Sequence, residues 1–471
     1  MSERKIMKPL DASRRHFLRT ASALSVVGPA GLPFAMNLAT IGAAAAQTAG
    51  DYRALVCLFM FGGNDSHNMV LATDSPSWTA YQAARSTAPS PIALPAAGDT
   101  GGVLPISPLS AQSGRSFALH PGMAGLRGLF DDGRAAVVAN VGPLLAPTTK
   151  AQYAARSVPL PPKLFSHNDQ QSTWQAHAPE GARTGWGGRM GDLLASMNGN
   201  TTFTCISASG NAVWLSGRDT LQYQVGGNGA VAIGGLDGGL FGSSSAANPL
   251  RAIVTGDRNN LLEKEYNRVT RRSTDAQQAM NAAMIPAASL EPVPAGNSLA
   301  AQLLTVARII GGRATLGAGR QVFFVSIGGF DTHDNQTANH GALMTRVSEA
   351  IAYFDRLLAS PSVSALAQTT LFTASDFGRT LTSNGDGTDH GWGSHHLVVG
   401  GAVRGKDIYG RYPVIGVNAD DDVGQGRLLP SVSVDQYGAT LARWFGLSDG
   451  DIDMVFPNIR NFGLRDLGFL A

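Results

Sequence analysis

The feature that most constrains the fold of this chain is its alternation of two kinds of segment. Short runs of unbroken apolar residues are separated by stretches with helical periodicity. Strands that are apolar on both faces are typical of a sheet covered on both sides. We therefore expect an α/β protein with a mostly parallel central sheet and helices on both faces. The predicted strands are residues 54–61, 135–141, 203–206, 322–327, 370–374 and 397–399, and helices are expected near 121–131, 187–197, 258–283, 297–311, 341–359 and 435–446.

The N-terminal segment is predicted to be an export signal. Residues 13–19 fill every position of the twin-arginine pattern S-R-R-x-F-L-K/R, and four alanines at 43–46 suit a cleavage site. An uncleaved membrane anchor is the alternative. Pro29, Pro33 and Asn37 interrupt the apolar stretch before it reaches about 18 residues, which favours cleavage. We expect the twin-arginine translocation machinery to deliver a periplasmic or secreted protein.

The charge balance changes once this leader is set aside. The full chain has 36 basic and 34 acidic residues, and residues 1–46 hold six basic and two acidic ones, which leaves 30 basic against 32 acidic. This balance argues against nucleic-acid binding, and nothing beyond the leader predicts a stable membrane anchor. We expect residues 47–471 to form a single domain, with long loops at the Gly/Ser-rich segment 225–248 and the Pro/Ala-rich segment 285–296.

Both cysteines, Cys57 and Cys205, lie in apolar runs. An oxidising compartment would permit a disulfide, but pairing requires Cα atoms within about 7 Å. We predict two buried free thiols.

Acidic residues follow three of the predicted strands. Asp65, Asp331 and Asp376 each come shortly after an apolar run, and His333 lies two positions after Asp331. Ligands bind beyond the carboxyl ends of parallel strands. Two carboxylates at 4 Å repel by about 4 kcal/mol at an effective dielectric of 20, so a cation or raised pKa values must compensate if they share a crevice. The alternatives are an ordinary turn around Asp65 and a structural network of salt bridges and hydrogen bonds.

A glycine-rich segment, residues 388–396, concentrates imidazole and carboxylate groups. These are the ligands that zinc, manganese and iron prefer, and glycine lets neighbouring side chains face one centre. The sequence therefore predicts a metal site assembled from several strand ends. The candidate ligands in this segment are Asp389, His390, His395 and His396.

Five motifs, with the leader, carry a family resemblance. They are Gly-Gly-Asn-Asp at 62–65, Ser-His-Asn-Asp-Gln at 166–170, Gly-Gly-Phe-Asp-Thr-His at 328–333, Ser-Asp-Phe-Gly-Arg-Thr at 375–380 and Asp-His-Gly-Trp-Gly-Ser-His-His at 389–396. Together they resemble domain of unknown function 1501, over essentially the whole chain after the leader. That family resembles the alkaline phosphatase/sulfatase-like superfamily, which implies a central sheet with metal ligands at strand ends.

The resemblance also implies a ligand set. Phe377 departs from the superfamily pattern, because a histidine ligand is expected there. A single metal, or a shifted set that uses Asp389 and His390, is therefore an equal alternative to a two-metal centre. The implied ligands are Asp65, Asp331, His333, Asp376 and either His390 or His395.

Two residues are candidates for catalysis. Ser166 precedes a short helical pattern at 168–176 and matches the superfamily's nucleophile position, or it simply caps that helix. Arg379 would grip an anionic ester, or it is a surface arginine. The sulfatase nucleophile signature, Cys/Ser-x-Pro-x-Arg, is absent, which argues against formylglycine chemistry.

These observations lead to two function classes. The first is an exported metal-dependent hydrolase of small phosphate or sulfate esters, with Ser166 or water as the attacking group and a divalent ion (Zn, Mn, Mg or Ca) as cofactor. The second is a non-catalytic metal-containing or binding member of the same fold.

Overall fold

All six predicted apolar runs are strands in the computed structural model, which describes residues 51–227, 229–236, 243 and 247–471. The predicted leader and part of the 225–248 segment lie outside these residues. Four strands are almost entirely buried along their length, so both faces of the sheet are covered. They are β1 (Arg53–Met60), β5 (Ala135–Gly142), β8 (Arg320–Ile327) and β9 (Thr369–Ser375). The strands are β1 (Arg53–Met60), β2 (Val70–Ala72), β3 (Leu104–Ile106), β4 (Phe117–Leu119), β5 (Ala135–Gly142), β6 (Cys205–Ser207), β7 (Tyr223–Gln224), β8 (Arg320–Ile327), β9 (Thr369–Ser375), β10 (Ser394–Gly400), β11 (Ile408–Tyr409) and β12 (Val432–Ser433).

Nine of the described strands form one sheet in the order β11-β5-β10-β9-β1-β8-β6-β7, with β12 also beside β5. Every pairing is parallel except the two that β10 makes, which confirms a mostly parallel central sheet. Met60 at the end of β1 pairs with Ile327 of β8 and with Ser375 of β9. The segments that carry Asp65, Asp331 and Asp376 therefore leave the sheet at the same edge.

Strand β10 begins earlier than the sequence pattern indicated. It runs from Ser394 to Gly400 and is buried throughout, whereas we predicted a strand at 397–399 preceded by a loop. His395 and His396 are therefore strand residues in the core. The pattern was misleading because the first three residues of β10, Ser394, His395 and His396, are polar and precede its apolar residues.

The predicted helices are present, with somewhat different ends. Four helices were not predicted, because six to eleven residues are too few to show a clear period. They are α1 (Ser75–Arg85), α3 (Lys150–Ala155), α6 (Ala247–Thr255) and α11 (Asp449–Val455). The helices are α1 (Ser75–Arg85), α2 (Ala124–Asp131), α3 (Lys150–Ala155), α4 (His167–Ala176), α5 (Trp186–Leu194), α6 (Ala247–Thr255), α7 (Leu261–Ala283), α8 (Ser298–Gly311), α9 (Gln336–Ala359), α10 (Val434–Phe445) and α11 (Asp449–Val455), with 3-10 turns at Pro121–Met123, Ala195–Met197, Thr201–Phe203, Val213–Leu215, Ala287–Ser289 and Ile459–Asn461.

Aromatic side chains dominate the core beneath the sheet. Trp174, Trp186 and Trp214 are almost fully buried, and Trp186 packs edge-to-face on Trp214 with ring centroids 5.0 Å apart. Cys57 and Cys205 are buried free thiols, as predicted. A second, three-stranded sheet, β2-β4-β3, was not predicted. No helix among the described residues is both long and apolar enough to cross a membrane.

Candidate metal centre

Asp331, four residues after β8, contacts three histidine rings that form a cluster around it. Its Oδ1 atom lies 3.1 Å from His333 Nε2 and 3.3 Å from His390 Nε2, and its Oδ2 atom lies 3.4 Å from His167 Nε2. The Asp331 side chain is 44% exposed, so this edge of the sheet is open to solvent. Four ionisable side chains from three separate segments therefore converge at one accessible point.

The spacing of these atoms fits coordination of one ion. One ligand atom from each of His167, Asp331 and His390 lies within 4.8 Å of the other two. Bonds of about 2.0–2.1 Å in a tetrahedral site put ligand atoms about 3.3–3.4 Å apart. Two imidazoles and a carboxylate are a ligand set that suits zinc, iron or manganese. The residues present thus fit a divalent metal.

The outer nitrogens of two histidines are held by the protein. His167 Nδ1 lies 2.7 Å from Asp376 Oδ2, and His390 Nδ1 lies 2.8 Å from the carbonyl oxygen of Phe165. An Nδ1–H that donates to these acceptors leaves the Nε2 lone pair of each neutral ring directed at the cluster. Carboxylate and carbonyl partners of this kind orient histidine ligands in metal sites.

Asp376 supports His167 and contributes no atom to the three-residue group. Its side chain is fully buried, and Oδ2 also accepts hydrogen bonds from Gln171 Nε2 at 2.7 Å and from the amide of Gly62 at 3.2 Å. Its Oδ1 atom has no hydrogen-bond partner among the described residues. We predicted a direct ligand at this position, and in the structure Asp376 contacts His167 and lies outside the three-residue group.

His333 and Asp389 stand at the margin of the cluster. His333 Nε2 lies 2.9 Å from His390 Nε2, and His333 Nδ1 lies 3.4 Å from Asp389 Oδ1. Two imidazole nitrogens approach this closely when one donates a proton to the other or when both face one cation. His333 therefore contacts His390 and Asp331 without joining the three-residue group, and Asp389 contacts His333 from the far side.

The electrostatics of the cluster follow from its partners. The hydrogen bond to Asp376 raises the pKa of His167 above its ordinary value, although burial opposes this. Burial lowers the pKa of His390. Burial would raise the pKa of Asp331, but the hydrogen bond and charge of Arg379 outweigh it and lower that pKa. An ion at His167 Nε2 competes with a proton for the same lone pair, so binding should weaken at low pH.

Arg379 is fully buried, and protein groups occupy its guanidinium. Nη1 donates to the Gly62 carbonyl oxygen at 2.9 Å and to Asp331 Oδ1 at 3.0 Å, and Nε donates to Thr388 Oγ1 at 2.9 Å. We predicted an arginine that grips an anionic ester or lies on the surface. The surface alternative is wrong, because the side chain is buried, and the guanidinium contacts Asp331.

Asp65 belongs to a different, fully buried site. Its carboxylate pairs with Arg85, with Oδ2 at 2.5 Å from Nη1 and Oδ1 at 2.9 Å from Nη2, and Oδ2 accepts a hydrogen bond from Gln336 at 2.6 Å. Burial would raise the pKa of Asp65, but Arg85 outweighs it and lowers that pKa to about 2. Each of the three acids thus has its own compensation: Arg85 pairs with Asp65, Arg379 pairs with Asp331, and hydrogen-bond donors contact Oδ2 of Asp376.

His395 and His396 lie away from the cluster, inside the core. His395 Nδ1 is 3.0 Å from the backbone amide nitrogen of Asn140, and its ring stacks on Tyr412 at 4.7 Å. The ring of His396 packs against Trp174 at 4.8 Å. Burial lowers the pKa of both rings, that of His396 to about 3. Both are therefore neutral core residues in this structure.

Ser166 is next to the cluster, but its hydroxyl is occupied. It is the residue before α4, and its Oγ donates to Asp169 Oδ2 at 2.9 Å without making a capping hydrogen bond. It stands between Phe165 and His167, both of which contact the cluster. Neither the predicted capping bond nor an unoccupied hydroxyl is seen.

The sequence analysis missed three contributors to this site: His167, Gln171 and Phe165. His167 and Gln171 are four positions apart on α4 and so share a face, which is the signal that could have identified them. Phe377 fills the space beneath the cluster, with its ring 4.8 Å from that of His167 and 4.6 Å from that of His390.

The fold and the site define an α/β protein with a mostly parallel sheet and a solvent-accessible imidazole–carboxylate cluster at one edge. The family model described as protein of unknown function (DUF1501) matches residues 52–451. The chain therefore belongs to this family. No match was found among curated proteins.

Proposed function

We propose that this protein is an exported, metal-dependent hydrolase of small phosphate or sulfate esters, with a divalent ion held by His167, Asp331 and His390. The observation that carries the proposal is the convergence of their ligand atoms within 4.8 Å. The fixed outer nitrogens and the solvent access of Asp331 support a reactive rather than a closed structural site.

A bound divalent ion would polarise the ester oxygen and make a nucleophile available near neutral pH. The chain's own residues provide the frame for that chemistry. Arg379 fixes the carboxylate of Asp331, and Asp376 fixes the ring of His167. Phe377 excludes water from beneath the imidazoles, because its buried ring packs against them.

Water is the attacking group that we favour over Ser166. The Ser166 hydroxyl donates to Asp169, and the hydrogen bonds to that carboxylate lower its pKa despite burial, which makes Asp169 a weak proton acceptor. Ser166→Ala should therefore retain most of the activity. A loss of 1,000-fold or more, on the order of a missing nucleophile, would assign the attack to the hydroxyl instead.

Export rests on the leader. Residues 13–19 match the twin-arginine pattern, and this route carries folded proteins, so the metal would be acquired before transport. Replacing both Arg14 and Arg15 with lysine should leave the protein in the cytoplasm of its host. Undiminished recovery of that variant from the periplasm would remove this part of the proposal.

A non-catalytic metal-containing member is the second candidate. The occupied guanidinium of Arg379 favours it, because this arginine is not free to bind an anionic substrate. Such a protein would bind metal without turnover.

Metal analysis combined with an ester screen decides between the two. Protein purified from its native host should contain a divalent ion, and metal-loaded protein should hydrolyse at least one aryl phosphate, phosphodiester or aryl sulfate. Asp331→Asn should abolish both properties. Asp334→Asn is the matched control, because this exposed acid lies only three positions further on. Metal binding that requires Asp331, without any hydrolysis that requires it, would support the second candidate.

A further inference from the structure

Helix α7 exposes a stripe of large apolar side chains along its first half. Leu262 is 80% exposed, Tyr266 67% and Val269 44%. Their spacing of four and three residues puts them on one face of the helix. The same stripe continues into Ala276 and Met280, which are buried against the rest of the protein. One face of α7 is therefore buried at the C-terminal end of the helix and exposed to solvent at the N-terminal end.

Apolar surface also continues beyond the helix. Leu221, which is 72% exposed, lines an open cleft together with Val269 and Ser273. Amphipathic helices normally bury their apolar stripe, and contiguous exposed apolar surface of this kind marks interaction sites. The stripe therefore requires a partner that supplies a matching apolar surface.

The charges beside the stripe indicate which partner. Glu265 and Arg272 are both exposed and lie two helical turns apart, on the same side of the stripe. When two identical helices pack antiparallel, the same side of each faces the other. Glu265 of each helix then meets the partner's Arg272, which gives two Glu–Arg ion pairs. Within its own helix Glu265 pairs with Arg268 at 2.9 Å, an exposed contact that is easily exchanged.

We propose that a second copy of this chain covers the stripe, with two α7 helices packed antiparallel about a twofold axis. Leu262, Tyr266 and Val269 form the seam, and Tyr266 lies opposite the partner's Val269. A surface whose acidic and basic flanks complement themselves under a twofold rotation has the property of an isologous interface. The proposal does not depend on the metal centre.

Sedimentation equilibrium of the purified full chain tests the proposal. The wild-type protein should be a dimer, and Tyr266→Asp should raise the dimer dissociation constant by at least about 30-fold, because it places a charge in the seam. Leu109→Asp is the control, since Leu109 is 73% exposed and lies outside α7. Circular dichroism establishes that each variant is folded. A wild-type protein that stays monomeric at 100 µM or above, on the scale of weak association, overturns the proposal.

A charge exchange tests the antiparallel arrangement. Glu265→Arg and Arg272→Glu should each weaken the dimer about 5- to 10-fold, and the double variant should recover wild-type affinity. A double variant that is no better than either single one overturns the arrangement. A monomer that binds vesicles of anionic phospholipid through Tyr266 also overturns the proposal and assigns the stripe to a lipid surface.

Discussion

Two strand ends with the same sequence layout have opposite environments. After β1 the chain reads Gly-Gly-Asn-Asp65, and after β8 it reads Gly-Gly-Phe-Asp331. Asp65 is fully buried and is paired with Arg85, whereas Asp331 is half exposed and faces three imidazoles. The first acid holds the structure together, and the second is available to a ligand.

The difference comes from the elements that pack over each strand end. Arg85, the last residue of α1, reaches Asp65 together with Gln336 from the start of α9. Over Asp331 lie the start of α4, with His167, and the loop with His390. A glycine-rich strand end therefore does not fix the role of its acid, because the partners come from distant parts of the chain.

The largest expected effect concerns the stability role of Asp65. Asp65→Asn should reduce the free energy of unfolding by about 3–5 kcal/mol, because it leaves the buried Arg85 without its counter-charge. Denaturant unfolding measures this loss. The variant should still bind metal once folded, and a loss below about 1 kcal/mol would contradict a buried, stabilising ion pair.

The second prediction is the converse for Asp331. Asp331→Asn should weaken metal binding by more than about 100-fold, because losing a ligand costs more than the roughly 10- to 100-fold expected when a residue that only orients a ligand is lost. It should destabilise the fold less than half as much as Asp65→Asn does. Competition with a chromophoric chelator gives the affinity, and Asp334→Asn should retain it. If Asp65→Asn lowered the affinity as strongly, the two strand ends would share one site after all.

Asp376 provides an intermediate case between the two acids. Asp376→Asn should weaken metal binding about 10- to 100-fold, because His167 loses the carboxylate that orients its ring. Gln171→Leu removes one donor to the same carboxylate and should have a smaller effect in the same direction. The same competition assay applies, and unchanged affinity in both variants would show that the orientation of His167 does not need them.

The pH dependence of stability around Asp65 is the smallest expected effect when it is expressed per pH unit. Burial lowers the pKa of His67 and of His340 to about 4. Below pH 6.5 the unfolded chain takes up protons that the folded chain excludes, so each histidine should reduce stability by about 1.4 kcal/mol per pH unit as the pH falls. This loss should end near pH 4, where the folded form also becomes protonated.

Unfolding curves between pH 7.5 and 4, the window set by those pKa values, test this dependence. His340→Gln should make it shallower by about 1.4 kcal/mol per pH unit, because it removes one of several buried histidines whose pKa values are lowered. His167 should act with the opposite sign, because its pKa is raised: its stabilising contribution is present at low pH and is lost as the pH rises. A curve that His340→Gln leaves equally steep would contradict the assignment.

Much of the sheet was predictable, because buried parallel strands are continuous apolar runs. The strand at 322–327 corresponds to β8, and the strand at 135–141 corresponds to β5, within two residues at each end. Among the predicted strands, the bounds differ most at β10, where His395 and His396 lie in the core. Imidazoles are read as polar in a sequence, but stacking on aromatic rings and burial as neutral species make them acceptable core residues.

The sequence by itself determined the family, the mostly parallel sheet and the chemical types gathered near its strand ends. It also identified Asp331, His333 and His390 as candidate ligands, and these three do converge. Only the tertiary structure decided that His167 joins them, that Asp376 supports it and that Arg85 compensates Asp65. The physical reason is that local periodicity depends on neighbours in the chain, whereas a charge or a lone pair takes its role from whatever side chain the fold brings within about 3 Å.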